Sequence, residues 1–158
     1  MQLKTSRFGT IEIEPSAILT FTQPIIGFQE YRRFILLPGP ADSSVHWLQS
    51  TDSGDLAFLI MDPRQVMPDY KAPLPAQELA ELAVSSVDEL DVYTLLVVPD
   101  DHAKVRTNLR APVLINLKQR LGKQTVLDRT DYPIQYFLAQ GRQKSPATQE
   151  AGHAGADA

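Results

Sequence analysis

The apolar residues of this chain come in short runs, and three of the strongest end at proline. Phe34-Ile35-Leu36-Leu37 stops at Pro38-Gly39-Pro40, Leu56 to Met61 stops at Asp62-Pro63, and Asp91 to Val98 stops at Pro99-Asp100-Asp101. Runs of roughly four to eight residues suit strands and are too short for a core helix. Proline ends them because it carries no N–H for a ladder and fixes its own φ. Leu56 to Met61 is apolar at every position, and the run from Asp91 nearly so, which marks strands covered on both faces.

The rest of the chain follows the same grammar. Residues 2–14 read as a hairpin around Gly9, with Ile11-Glu12-Ile13-Glu14 alternating. Leu19-Thr20-Phe21 is a strand, and Pro24 to Glu30 a loop with room for one helical turn. Val45 to Ser50 should pair with Leu56 to Met61 across the turn Asp52-Ser53-Gly54-Asp55, with Gly54 taking positive φ. Pro75 to Ala83 carries the only helical pattern, with Leu79 and Leu82 three apart and Pro75 in the first turn. Lys104 to Arg110 alternates as a half-exposed strand: Val105, Thr107 and Leu109 face one way, Lys104, Arg106, Asn108 and Arg110 the other. Val113, Ile115 and Leu117 continue that pattern, and Gly122 should turn the chain. Trp47, Phe58, Leu59 and Ile60 are assigned to the core. The fold class is mostly β: a small antiparallel β-barrel or sandwich-like single domain with one or two short helices, spanning 1–139. Residues 140–158 hold Ala, Gly, Gln and Ser but no large apolar side chain. They are expected to form a disordered tail, because they cannot offset the entropy of ordering.

Chemistry-bearing patterns are scarce. There is no cysteine, so thiolate chemistry and disulfides are excluded. No apolar leader opens the chain, and no run approaches the ~18 apolar residues of a membrane span. A soluble cytoplasmic protein is the reading. His46, His102 and His153 lack any metal-ligand spacing. Leu121-Gly122-Lys123-Gln124 has Gly-Lys without the glycine spacing or the Ser/Thr of a phosphate loop. Asp88, Glu89, Asp91, Asp100 and Asp101 cluster at strand ends, where carboxylates face solvent instead of forming buried acid–base pairs. No catalytic residue, metal or cofactor is assigned, and the chain reads as a non-enzyme.

Charge is more informative. The net charge of -4 conceals a segregation. Residues 51–101 hold eleven acidic side chains against Arg64 and Lys71, while Lys104 to Lys123 holds six basic ones and no acid. The basic stripe could follow a phosphate backbone, which makes a nucleic-acid-binding β-barrel the alternative function. It has no interleaved aromatics to stack bases, and the acidic half would repel a polyanion. Protein–protein recognition through the acidic segment is the better fit.

Several motifs in collinear order then carry a resemblance. They are Gly9-Thr10-Ile11-Glu12-Ile13, Ile26-Gly27-Phe28, Phe34-Ile35-Leu36-Leu37, Trp47-Leu48-Gln49-Ser50 with Asp52, Leu56-Ala57-Phe58, Asp62-Pro63 and Pro68-Asp69-Tyr70. Thr107-Asn108-Leu109, Ala111-Pro112-Val113, Ile115-Asn116, Gly122-Lys123-Gln124 and Tyr132 follow. From Leu3 to Leu138 the chain resembles the bacterial flagellar assembly factor FliW family. That resemblance implies a small β-barrel-like domain with short helical insertions and no enzymatic activity. It also implies two partners bound in exchange: flagellin, and the RNA-binding translational regulator CsrA, whose repression of flagellin synthesis is relieved when it is held. No direct nucleic acid and no membrane are implied. The candidate partner-facing residues are polar positions inside matched motifs that alternation or a turn should expose: Asp52, Asp69, Tyr70, Asn108 and Asn116.

Overall fold

The short apolar runs form strands in the computed structural model, which describes residues 1–40, 43–128 and 130–139. The tail expected at 140–158 lies outside the described residues. Outside the main sheet, β1 (Gln2–Thr5) and β2 (Gly9–Glu12) form an antiparallel hairpin. The main sheet begins with β3 (Leu19–Gln23), β4 (Arg33–Pro38), β5 (His46–Ser50) and β6 (Ala57–Met61). It continues with β7 (Asp91–Val97), β8 (Arg106–Thr107), β9 (Val113–Asn116), β10 (Leu121–Gln124) and β11 (Tyr136–Phe137). From β3 to β7 each strand pairs antiparallel with the next.

Closure depends on β7. Its first half, Asp91–Tyr93, pairs with β9, and β9 pairs with β10. β10 then runs parallel to β3, which completes a seven-stranded barrel. The second half of β7 pairs instead with β8, and β11 adds beyond it. A closed ring leaves no free edge among its members. One parallel pairing departs from an all-antiparallel barrel. It follows from the odd number of ring members: six antiparallel pairings in series leave β10 running the same way as β3.

Inside the ring, Leu19, Phe21, Ile25, Phe34, Leu48, Ile60, Val113 and Ile115 form one cluster in which every residue is shielded from solvent. Phe21 and Phe34 pack with centroids 5.0 Å apart. A short helix, α1 (Ala76–Glu81), follows Pro75, which sits in the cap position with extended backbone instead of in the first turn. Beside it, Leu82, Leu90 and Leu114 form a second cluster, and a third gathers Tyr70, Ala72, Leu109, Leu127 and Tyr136.

Several expectations change in three dimensions. Ile60 is core, but Trp47, Phe58 and Leu59 are only half-buried. Leu48 takes the inward position on β5, so Trp47 points outward under the β1–β2 hairpin. There Phe8 meets it edge-on at 5.7 Å and the Arg7 guanidinium lies 4.4 Å from its ring centroid. Gly54 does not adopt positive φ. It is glycine because a Cβ would lie 1.9 Å from the carbonyl oxygen of Lys4, where the hairpin crosses the turn. Gly122 is not a turn residue but part of β10, where a Cβ would sit 2.4 Å from the Phe21 ring. The turn lies at 117–120, with Arg120 in the left-handed region at φ 58°. Lys104 to Arg110 is a 3₁₀ turn (His102–Lys104) followed by the two-residue β8. Leu117 is exposed, ending the apolar pattern of β9.

Candidate functional site

Asp69 and Tyr70 sit on the segment between the 3₁₀ turn Pro63–Gln65 and α1. Asp62 starts that turn by accepting a hydrogen bond from the Arg64 N–H at 2.9 Å. The chain then folds back so that the Tyr70 N–H donates to the Met67 carbonyl. Tyr70 drives its ring inward and is 4 % exposed. Its hydroxyl donates to the Leu109 carbonyl at 2.7 Å, and its ring stacks on Tyr132 at 4.6 Å. Tyr132 in turn accepts from the Lys71 N–H. Burial, assisted by the neighbouring Tyr132, raises the Tyr70 hydroxyl pKa far above its ordinary value. Asp69 is left exposed at the rim of an open cleft of about 770 Å³, which Arg64, Lys71, Val87, Asp88 and Tyr132 also line.

The other three candidates have structural partners. Asp52 accepts from the backbone N–H groups of Arg32 and Arg33 and pairs with the Arg33 guanidinium at 2.7 Å and 3.0 Å. Desolvation pushes its carboxyl pKa up, but the hydrogen bonds from Arg32 and Arg33 and the Arg33 charge together hold it below the usual carboxylate range. Asn108 accepts from the N–H groups of Arg110 and Ala111 and shapes a turn. Asn116 is 3 % exposed; its amide donates to the Leu82 carbonyl at 2.7 Å and its oxygen accepts from Gln119 N–H. The exposure expected for Tyr70 and Asn116 is therefore corrected. All four residues of β9 are buried, with Leu82, beside the end of α1, covering the side that alternation assigned to solvent. Asp69 alone of the five makes no side-chain hydrogen bond or ion pair among the described residues.

The charge pattern also resolves. Lys123 is 9 % exposed and lies 2.7 Å from Glu81 and 3.2 Å from Glu78, the two carboxylates of α1. Desolvation lowers its pKa, but the two carboxylates outweigh it and raise the pKa above the ordinary lysine value. Arg110 is half-buried and donates to the Tyr132 carbonyl at 2.8 Å. The basic stripe is thus broken, with Lys104 left exposed at one turn and Lys118 and Arg120 at another. Asp69, Asp88, Asp91 and Asp100 stand exposed with no side-chain hydrogen bond or ion pair among the described residues.

Sequence reasoning missed Gln49. It is fully buried on β5, and its amide nitrogen donates to the carbonyls of Ser50 and Leu56 at 2.9 Å and 3.1 Å, with those of Ser53 and Gly54 also in reach. A polar residue inside an apolar strand was the available signal. Among the described residues, no helix is long and apolar enough to cross a membrane.

Comparison with known proteins accounts for nearly all of the described chain. The family described as FliW protein matches residues 2–138. The flagellar assembly factor FliW of Moorella thermoacetica is 39 % identical over 139 residues, covering 87 % of this chain and 88 % of that protein. That of Alkaliphilus metalliredigens is 36 % identical over 163 aligned positions, covering 99 % of this chain and all of the other. A crystal structure of the flagellar assembly factor FliW superposes with a TM-score of 0.80 at 33 % identity, over 87 % of this chain and 96 % of that one.

Proposed function

The chain belongs to the FliW family of flagellar assembly factors, and from that premise we propose that it is a non-enzymatic, cytoplasmic partner-switching protein. It holds flagellin and, in exchange, an RNA-binding translational regulator of the CsrA type, antagonising that regulator's repression of flagellin synthesis. The observation that supports this most is the set of exposed carboxylates at Asp69, Asp88, Asp91 and Asp100, which are without a side-chain partner among the described residues. An RNA-binding protein presents basic surface, and such carboxylates raise its association rate. They also push an RNA backbone away over roughly one Debye length, ~8 Å at physiological salt. The nucleic-acid reading loses support because Lys123 is committed to Glu78 and Glu81 and Arg110 to a backbone carbonyl.

The test uses the full chain immobilised, with purified flagellin and purified regulator passed over it separately and then together. Both should bind, flagellin should displace the regulator, and regulator affinity should fall as salt rises. Failure of both to bind, or retention of bare RNA instead, would overturn the reading. Asp69→Lys should weaken regulator binding while leaving the melting curve in place. Asp52→Lys should lower the melting temperature, since Asp52 joins two backbone N–H groups and Arg33.

A further inference from the structure

Ile26 is the most exposed large apolar residue among the described residues, at 62 %. Its conformation is fixed. The Phe28 N–H donates to the Ile25 carbonyl at 2.8 Å, closing a turn in which Gly27 takes φ 91°, a value that favours glycine. The Ile26 N–H donates to the Gln124 side-chain oxygen at 2.8 Å, and Gln124 is tied by its nitrogen to the Ala111 carbonyl. Ile25 beside it is buried. A rigid turn thus holds one isoleucine out in solvent.

The parallel pairing of β3 with β10 places Gln23 opposite Lys123, so the chain leaving β3 runs alongside the chain leaving β10. The hydrogen bond from the Ile26 N–H to Gln124 ties the turn to the end of β10, two residues before Val126, itself 42 % exposed. Val126 forms one wall of an open groove of about 580 Å³ whose other walls include Pro73, Leu74 and Pro75. Glu78 and Asp128 line the same groove, with Glu81 on the next turn of α1. Lys123 neutralises one of the two helix carboxylates, and no other described cation lines the groove.

We infer that Ile26, Val126 and the Pro73–Pro75 groove form a docking surface for a segment of another protein that carries aliphatic side chains flanked by lysine or arginine. Exposed apolar residues held rigidly are where binding energy concentrates, because little ordering entropy remains to be lost on contact. The carboxylates supply the charge preference and disfavour both nucleic acid and a second copy of this acidic face.

The experiment uses an amphipathic synthetic peptide of leucine and lysine, the same peptide with glutamate in place of lysine, and the full chain, with fluorescence anisotropy as readout. The result therefore does not depend on flagellin or the regulator. The lysine peptide should bind at least tenfold more tightly than the glutamate peptide. Ile26→Asp and Val126→Asp should each weaken it at least tenfold although both add negative charge, and Ile134→Asp, at an exposed apolar site elsewhere, should not. Both target side chains are exposed, so unchanged melting curves are expected; Ile26→Ser repeats the test should either aspartate variant unfold. Equal affinity for wild type and the Ile26 and Val126 variants would overturn the inference. So would a dimer in sedimentation that Ile26→Asp dissociates, or capture of phosphatidylcholine vesicles that the same variant abolishes, since those outcomes assign the face to a second copy or a lipid surface.

Discussion

Asn116 and Lys123 show how single polar residues become structural once buried. Removing the Asn116 amide leaves the Leu82 carbonyl without its donor inside the protein. Asn116→Ala should therefore cost about 1–3 kcal/mol in urea unfolding. Lys123→Met should cost less than Lys123→Ala, because the methionine keeps the apolar stem packed against α1. Both variants leave Glu78 and Glu81 facing a partly desolvated site. With those carboxylates 21 % and 34 % exposed, water softens the loss to about 2 kcal/mol, below the range for fully buried pairs. Asp52 responds to acid. Its folded pKa is depressed, so its contribution is present above the ordinary value of 3.8 and disappears as pH falls through the folded value. Asp52→Asn should flatten the acid limb of the stability curve below that point.

At the scale of elements, the β1–β2 hairpin is the piece most easily separated from the barrel. It is fastened by Ser6, which donates from its N–H to the Gly54 carbonyl and from its hydroxyl to Asp55, and by Arg7 and Phe8 against Trp47. Gly54→Ala places a methyl against the Lys4 carbonyl and should lift the hairpin without opening the ring. The expected signature is a change in Trp47 fluorescence and faster exchange of the Ser6 amide, with β9 and β10 amides unchanged. Gly122→Ala acts on the ring itself, because the added methyl meets Phe21 in the core, and overpacking of this kind costs about 1–3 kcal/mol.

The whole molecule should be alkali-sensitive. Burial raises the hydroxyl pKa values of Tyr70, Tyr93 (to about 12, with help from Asp91 and Asp62) and Tyr136, and the Lys123 ammonium is also raised by its two carboxylates. Every folded value lies above its unfolded one. Their contributions are complete below the ordinary values of 10.0 for tyrosine and 10.5 for lysine and are lost as pH rises beyond them. Thermal melts should hold steady from neutral pH to about 10 and fall steeply toward 12, with part of the tyrosinate absorbance appearing only as the protein unfolds.

The sequence by itself determined the strands up to β7, because their runs record a period and a stop: alternation in β2, apolar runs in β6 and β7, proline or aspartate at their ends; β10 and β11 were not legible in it. It also recorded family membership, through short motifs spread along the chain. Only the tertiary structure decided which polar residues are free. Asp69 and Asn116 read alike as polar positions in matched motifs, yet one lies at a cleft rim and the other beneath Leu82. Six basic residues read as one stripe until Lys123 turned inward to α1, some forty positions away in the chain. Period and punctuation are local properties, written in neighbouring residues. Burial and charge pairing depend on which distant segment arrives to cover a side chain, and ring closure through β7 and β10 fixes that here.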